Sequence, residues 1–344
     1  MVPRRVAAFL ASLGLAAALA ACDASPKPAA RPTTSPSSSP SPTVQATQPP
    51  AALNPVSLPA LMRKRYDGRD LRTVSVLARN NAYTRYAVRF RSGRLRISGI
   101  MNVPVGRGPF PVLILNHGYI DPDIYTTGRG LAREQDYLAR RGYVVLHVDY
   151  RNHAQSDDDP NYELNLRLGY TEDVINAVHA VKESSLPSLD GDRVGMLGRS
   201  MGGGVTFNAL VVQPDLVKAA VVYAPVSSDV VDNFDRWIRR MGERRVLAQR
   251  IAARFGSPEE NPEFWRNVSP VTFFDRIGVP LIMHHGTADE SVPFRWSQKT
   301  LAALQNAGKD VRLYVYEGEH HAFGPQWAES IRRTVRFFNR YLKS

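Results

Sequence analysis

Asp192 to Gln213 reads DRVGMLGRSMGGGVTFNALVVQ, and this stretch decides the fold. An apolar run with β-branched content, Arg193 to Leu197, meets Gly198-Arg199-Ser200-Met201-Gly202, and an apolar-periodic segment of good helix formers follows. The order is strand, sharp turn, helix. Glycines two before and two after Ser200 let strand and helix approach without Cβ clashes, so the serine can stand on a strained turn. Ser200 is then expected to project its hydroxyl above the sheet. A five-residue pattern of common residues also arises by chance, so the rest of the chain must supply partners for it.

The chain has 344 residues, 43% of them hydrophobic, which suffices for a large core and one α/β domain after the ends are trimmed. Its only cysteine is Cys22, which excludes an intramolecular disulfide, a cysteine metal cluster and a thiol nucleophile in the folded body. The net charge is +12. Most of the excess is local: eleven Lys and Arg lie between Leu61 and Arg96 against Asp67 and Asp70. Without an RNP-like aromatic signature, zinc finger or helix-turn-helix pattern, no nucleic-acid partner is expected. The block reads either as a solvated arginine-rich face or as a surface facing an anionic membrane.

The first 21 residues carry Arg4 and Arg5, then a run from Val6 to Ala21 rich in Ala and Leu. A positive start, a short apolar stretch and small residues make a secretory signal peptide, too short for a spanning helix of about twenty residues. Leu19-Ala20-Ala21-Cys22 resembles a bacterial lipobox, and that resemblance implies cleavage before Cys22 and lipid attachment to it. Residues 22–59 then read as a lipidated cysteine and an extended tether, because Asp23 to Pro59 holds ten of the 25 prolines. The expected location is exported and lipid-anchored, facing away from the cytoplasm.

From Tyr83 the pattern turns β-like: Tyr83 to Arg91 and Leu95 to Val103 alternate around Ser92-Gly93, a hairpin. Val112 to Asn116, Tyr143 to Val148, the elbow strand, Ala219 to Ala224, Val279 to His285 and Val311 to Tyr316 are further strands, mostly continuous apolar runs. Helical patterns alternate with them at Gly128 to Arg141, Leu164 to Ser184 and Gln326 to Leu342. The expectation is an α/β domain over residues 60–344, built on a mostly parallel, eight-stranded, doubly wound sheet with an antiparallel start. Residues 225–277 break the alternation with apolar residues at helical spacings, and read as a helical cap walling a pocket. Phe234 and Trp237 in this cap, and Tyr150 at a strand's carboxyl end, are candidate pocket residues, although such aromatics can equally glue cap to body.

An activated serine needs a general base, an orienting acid and donors for a developing oxyanion. His284-His285-Gly286-Thr287-Ala288-Asp289-Glu290 leaves one strand, and Gly318-Glu319-His320-His321-Ala322-Phe323 leaves the last. The elbow turn itself supplies one oxyanion donor, the Met201 N–H. Either histidine of the pair could be the base.

Together with Asn116-His117-Gly118-Tyr119, these motifs make the chain resemble an α/β-hydrolase of the prolyl oligopeptidase-like group, especially its dipeptidyl aminopeptidase and acylaminoacyl-peptidase-like catalytic domains. The resemblance runs from Tyr83 to the C-terminus. It implies Ser200, Asp289 and His321 as the catalytic residues, His321 being placed by alignment on Phe323, with His320 standing where a glycine is usual. It also implies the Tyr119 N–H as the second oxyanion donor and a loop role for His117. The larger peptidases of the group carry a β-propeller ahead of this domain, and only signal, tether and basic segment precede Tyr83 here. The expected function is therefore a serine hydrolase, without metal or organic cofactor, cleaving an ester or a short peptide bond. A dipeptidyl or acylaminoacyl peptidase proper, and a noncatalytic binding module on the same fold, are the alternatives.

Overall fold

Val112-Leu113-Ile114-Leu115 shows why one sheet is covered on both faces. In the computed structural model, which describes residues 53–343, this run lies in β4 (Phe110–Asn116), where successive side chains project to opposite sides. Val112 and Ile114 enter one buried apolar cluster and Leu113 and Leu115 another. The neighbouring strands β5 (Val144–Val148), β6 (Leu189–Arg199), β7 (Ala219–Tyr223) and β8 (Leu281–Gly286) do the same. Helices α2 (Ala132–Ala139) and α9 (Trp327–Leu342) cover the Leu113 side, α9 through Ile331, Phe338 and Leu342. The opposite side is covered by α3 (Leu168–Lys182), α4 (Met201–Val212) and α8 (Phe294–Asn306).

The sheet has nine strands in the order β1-β2-β3-β5-β4-β6-β7-β8-β9, ending on β9 (Val311–Tyr316). The expected eight lacked β1 (Arg69–Arg79), which pairs antiparallel with β2 (Tyr83–Ser92), itself hairpinned to β3 (Leu95–Pro104). Ten of the eleven β1 residues are exposed, so no apolar alternation marks the strand; main-chain pairing alone defines it. From β5 through β9 the pairing is parallel, and the sheet is mixed.

The folded body also begins before residue 60. Val56 and Leu58 are buried in the main cluster, and α1 (Leu58–Arg63) opens under a Ser57 cap whose hydroxyl accepts from the Ala60 N–H. Proline-rich composition concealed this start. The leader, Cys22 and the tether up to residue 52 lie outside the described residues. The expected helix from Gly128 begins only at Ala132, because Gly128, Gly130 and Leu131 hold positive φ of 77°, 84° and 53°.

Residues 225–277, between β7 and β8, carry α5 (Val230–Phe234), a π turn (Asp235–Arg239), α6 (Arg245–Phe255) and α7 (Pro262–Val268). Asp229 caps α5 by accepting the Val231 N–H, and Asn261 caps α7. Phe255 stacks on Phe264 at 4.3 Å and Phe234 meets Trp265 at 4.6 Å. These ring pairs hold α5, α6 and α7 together, and all four side chains enter the main buried cluster. The carboxyl ends of β4, β6, β8 and β9 converge beneath it, on the side where ligands bind in such sheets.

Candidate active site

Ser200 joins β6 to α4 with φ 56° and ψ −122°, a conformation an L-residue holds only when its surroundings over-determine it. The surroundings are backbone. The Ser200 N–H donates to the Tyr223 carbonyl at 2.9 Å, and the Ser200 carbonyl accepts from Gly203 at 2.9 Å and Val226 at 3.1 Å. A Cβ on Gly198 would overlap the Gly202 carbonyl, and one on Gly202 would overlap the Asn116 carbonyl at the end of β4. The plus-two glycine therefore serves the approach of α4 to the neighbouring loop as well as the turn.

Asp289 sits in the loop after β8 with its carboxyl wholly buried. Its Oδ1 accepts the N–H groups of Ser291 at 2.9 Å and Val292 at 2.7 Å. Oδ2 lies 2.8 Å from His321 Nδ1 and 3.0 Å from His285 Nε2. Burial raises the pKa of this group, but the hydrogen bonds from His285 and His321 overcome it and hold the carboxyl below the usual carboxylate range. With Nδ1 donating to Asp289, the lone pair of His321 is on Nε2.

The loop bearing His321 is set by Glu319, a buried residue. Its carboxylate accepts from Gly324 at 2.6 Å and from Gln326, and its carbonyl accepts the Ala288 N–H at 3.0 Å, tying the two loops together. His320 points elsewhere: its ring is exposed and meets Glu290 at 3.2 Å. Of the two adjacent histidines, His321 is the one joined to Asp289. Asp229, at the start of the cap segment, is committed to capping α5.

Ser200, Met201, Tyr119 and His321 all line one cavity of about 900 Å³. Met201 is the first residue of α4, so its N–H stands outside the helical ladder. Gly118 faces Ser200, where an added Cβ would come 3.2 Å from the Ser200 Cβ. His117 is buried among Tyr125, His147 and Tyr150; burial first, then the neighbouring His147 and His153, lowers its pKa to about 3. It is a neutral packing residue.

Phe234 and Trp237 line the cavity, and Trp237 packs edge-on against Trp296 at 5.3 Å. Tyr150 does not. It is fully buried beneath the loop, donates its hydroxyl to the His117 carbonyl at 3.2 Å and stacks on Tyr170 at 4.8 Å, so its place is in the support of the loop that carries Tyr119. Arg199 pairs with buried Glu134, which also accepts from the Trp327 indole at 2.7 Å. The Asp157-Asp158-Asp159 run is likewise committed at its ends, Asp157 to Arg96 and Asp159 to Arg151.

Sequence reasoning missed a cluster on the cavity wall. Glu163 accepts from Arg167 at 2.6 Å and from Arg244 of the cap at 3.1 Å. Arg244 also donates to the Tyr119 hydroxyl at 3.0 Å, and Arg167 lies 4.6 Å from the Tyr119 ring centre. No short motif carries residues so far apart in the chain. Among the described residues no group of three His, Cys, Asp or Glu side chains is placed to hold a metal ion.

A family model described as "Prolyl oligopeptidase family" matches residues 130–344. The chain belongs to that family of serine peptidases. It is similar to an uncharacterized peptidase of Bacillus subtilis, YtmA, 23% identical over 260 residues that cover 75% of this chain and 93% of the relative. Dipeptidyl peptidase 4 of Sus scrofa is 28% identical over 195 residues, 56% of this chain and 24% of that protein. In fold it resembles the acylaminoacyl peptidase of Pyrococcus horikoshii, with a TM-score of 0.60 and 22% identity over 76% of this chain and 42% of that one. The chain thus spans about a quarter of dipeptidyl peptidase 4 and under half of that solved peptidase.

Proposed function

We propose that the protein is a serine hydrolase that cleaves a short peptide or small amide bond through an acyl-enzyme, and a short acyl ester by the same route. The observation that carries this reading is the 2.8 Å contact between His321 Nδ1 and Asp289, with His321 and Ser200 on one cavity wall. Ser200 Oγ attacks the substrate carbonyl carbon while His321 Nε2 takes its proton. Asp289 stabilises the imidazolium so formed without taking the proton itself. The N–H groups of Met201 and Tyr119 receive the oxyanion, and the elbow holds the first of these in place before the reaction begins. His321 then protonates the leaving amine or alcohol, and water, deprotonated by the same nitrogen, releases the acyl group.

Membership of a peptidase family and the peptidases among its relatives support the peptide over the ester as substrate. Phe234 and Trp237 supply apolar wall for a side chain or acyl group. The leader and Leu19-Ala20-Ala21-Cys22 support an exported protein held to the membrane by lipid on Cys22.

A fluorophosphonate probe tests the chemistry: it labels the folded protein, and Ser200→Ala abolishes the label. Absence of label on the parent chain would sink the hydrolase reading and leave a binding module on the same fold. A rate panel of aminoacyl anilides, acyl-peptides and short acyl esters then ranks the substrates, with anilides or acyl-peptides ahead in kcat/KM. For the anchor, Cys22→Ser makes membrane attachment releasable by high salt; retention of the variant in a high-salt wash counts against lipidation.

A further inference from the structure

The β1–β2–β3 ribbon puts arginine opposite arginine. Arg69 faces Arg91 and Arg72 faces Arg89 across β1 and β2, and Arg91 faces Arg96 across β2 and β3. Directly opposed residues of an antiparallel pair project from the same face, and positions 89 and 91 share a face because they are two apart. Five guanidiniums therefore crowd one side of the ribbon, while Val88, Phe90 and Ile97 on the other side enter the core.

Like charges directly opposite destabilise a sheet, so in water the arrangement costs stability. Carboxylates offset part of it: Arg69 meets Asp67, Arg72 lies 3.9 Å from Asp70 and Arg96 lies 2.8 Å from Asp157. Arg89 and Arg91 form no ion pair among the described residues. Together with Arg72 and Arg96 they line a recess of about 200 Å³. Cationic fork groups gathered on one exposed face suit the phosphate layer of an anionic bilayer.

We propose that this face docks on an anionic phospholipid surface. The assignment is independent of the catalytic reading; it draws on the Cys22 anchor only for the presence of a membrane nearby. In the sheet, β5 and β4 separate β3 from the strand that carries Ser200, so the docked face and the cavity are distinct parts of the molecule.

The full chain carrying Cys22→Ser is sedimented with phosphatidylcholine vesicles, with and without phosphatidylglycerol, at low salt. Leader and tether are the same in every variant, so differences between variants report the ribbon. Arg72→Gln/Arg89→Gln/Arg91→Gln is expected to weaken binding to the anionic vesicles on the order of a hundredfold, about fivefold per arginine, and to leave binding to phosphatidylcholine unchanged. The corresponding triple lysine variant retains binding, because a bilayer reads charge and not fork geometry.

Unchanged affinity of the glutamine variant overturns the proposal. Loss in the lysine variant, or displacement by inorganic phosphate beyond that by chloride at equal ionic strength, overturns it in favour of a discrete anion site. A DNA duplex bound as tightly as the anionic vesicles overturns the lipid assignment. Fluorophosphonate labelling of Ser200 in the triple variant reports its fold; should that label be lost, Arg89→Gln alone, exposed and unpaired, carries the test with a fivefold loss. Failure of the probe on the parent chain bears on the hydrolase reading and leaves the vesicle result standing.

Discussion

His285 and His321 converge on the same oxygen of Asp289, at 3.0 and 2.8 Å. With its proton on Nε2, His285 shares that N–H between the carboxylate and the Val292 carbonyl at 3.1 Å, and its Nδ1, 2.6 Å from Ser297 Oγ, accepts that hydroxyl proton. The acid is thus held from one side by a buried histidine and from the other by the histidine that faces the cavity. Both contacts favour the ionised form.

The first prediction concerns acid. The folded pKa of Asp289 lies below its unfolded value, so the group stabilises the fold above the unfolded pKa of about 3.9 and loses that contribution as pH falls through the folded value. Asp289→Asn removes this dependence, and urea midpoints from pH 2 to 6 fall less steeply for the variant than for the parent. The same variant should lose about 10⁴-fold in kcat at neutral pH, since an amide can present its NH₂ to Nδ1 and favour the wrong tautomer. A loss of less than tenfold would remove Asp289 from the reaction.

The adjacent histidines make a sharp contrast. His321 joins Asp289 and the cavity, whereas His320 holds an exposed ring beside Glu290. His321→Ala is expected to lower kcat/KM by at least about 10³-fold, and His320→Ala to leave it within about threefold, as exposed pairs contribute little. The two variants, assayed on one anilide, settle which ring is the base; the reverse ranking reassigns it to His320.

How much of this was legible from the sequence follows from where each feature's signal lay. Ser200, Asp289 and His321 each stand in a short motif at a strand's end, and the strands there are apolar runs that declare themselves. β1 gives no such signal, because all of it but Leu71 is exposed and one buried residue makes no alternation. Tyr150 was misread as pocket because it follows a strand's carboxyl end; its positive φ of 63° and the Tyr170 stack turn it beneath the loop instead. The Glu163, Arg167 and Arg244 cluster comes from a loop, the segment before α3 and the cap, and only tertiary packing brings these together.

Arg167 carries the third prediction. Its guanidinium lies 4.6 Å from the Tyr119 ring centre and 4.0 Å from Met201 Sδ, so it touches the side chains of both residues whose N–H groups are assigned to the oxyanion. Arg167→Met removes the cation–π contact and lets the two donors drift apart. A positioning role predicts a fall of about tenfold in kcat with KM nearly unchanged, because the ground-state carbonyl engages the donors less than the tetrahedral oxyanion. Arg167→Lys should recover little, lacking the planar group that covers the ring. A rise in KM at constant kcat would make Arg167 a substrate contact and refute the positioning role.

The brace under the elbow gives the last prediction. Glu134 is only 1% exposed and its carboxyl is held below its usual pKa; burial opposes this, and Arg199 outweighs the burial together with Trp327. Arg199→Met leaves a buried carboxylate without its cation, at a cost of about 3–5 kcal/mol. The sign of the pH dependence then reverses. In the parent the ionised group stabilises the fold above the unfolded pKa of about 4.3 and loses this in acid. In the variant, burial dominates and raises the folded pKa, so stability is present below the unfolded value and declines as pH rises through the folded one. Urea denaturation at pH 4 and pH 8 should therefore show the deficit of Arg199→Met widening toward pH 8, and Arg199→Met/Glu134→Leu, which removes both charges, should recover most of it. An equal deficit at both pH values would assign Arg199 to packing under the turn and not to the charge of Glu134.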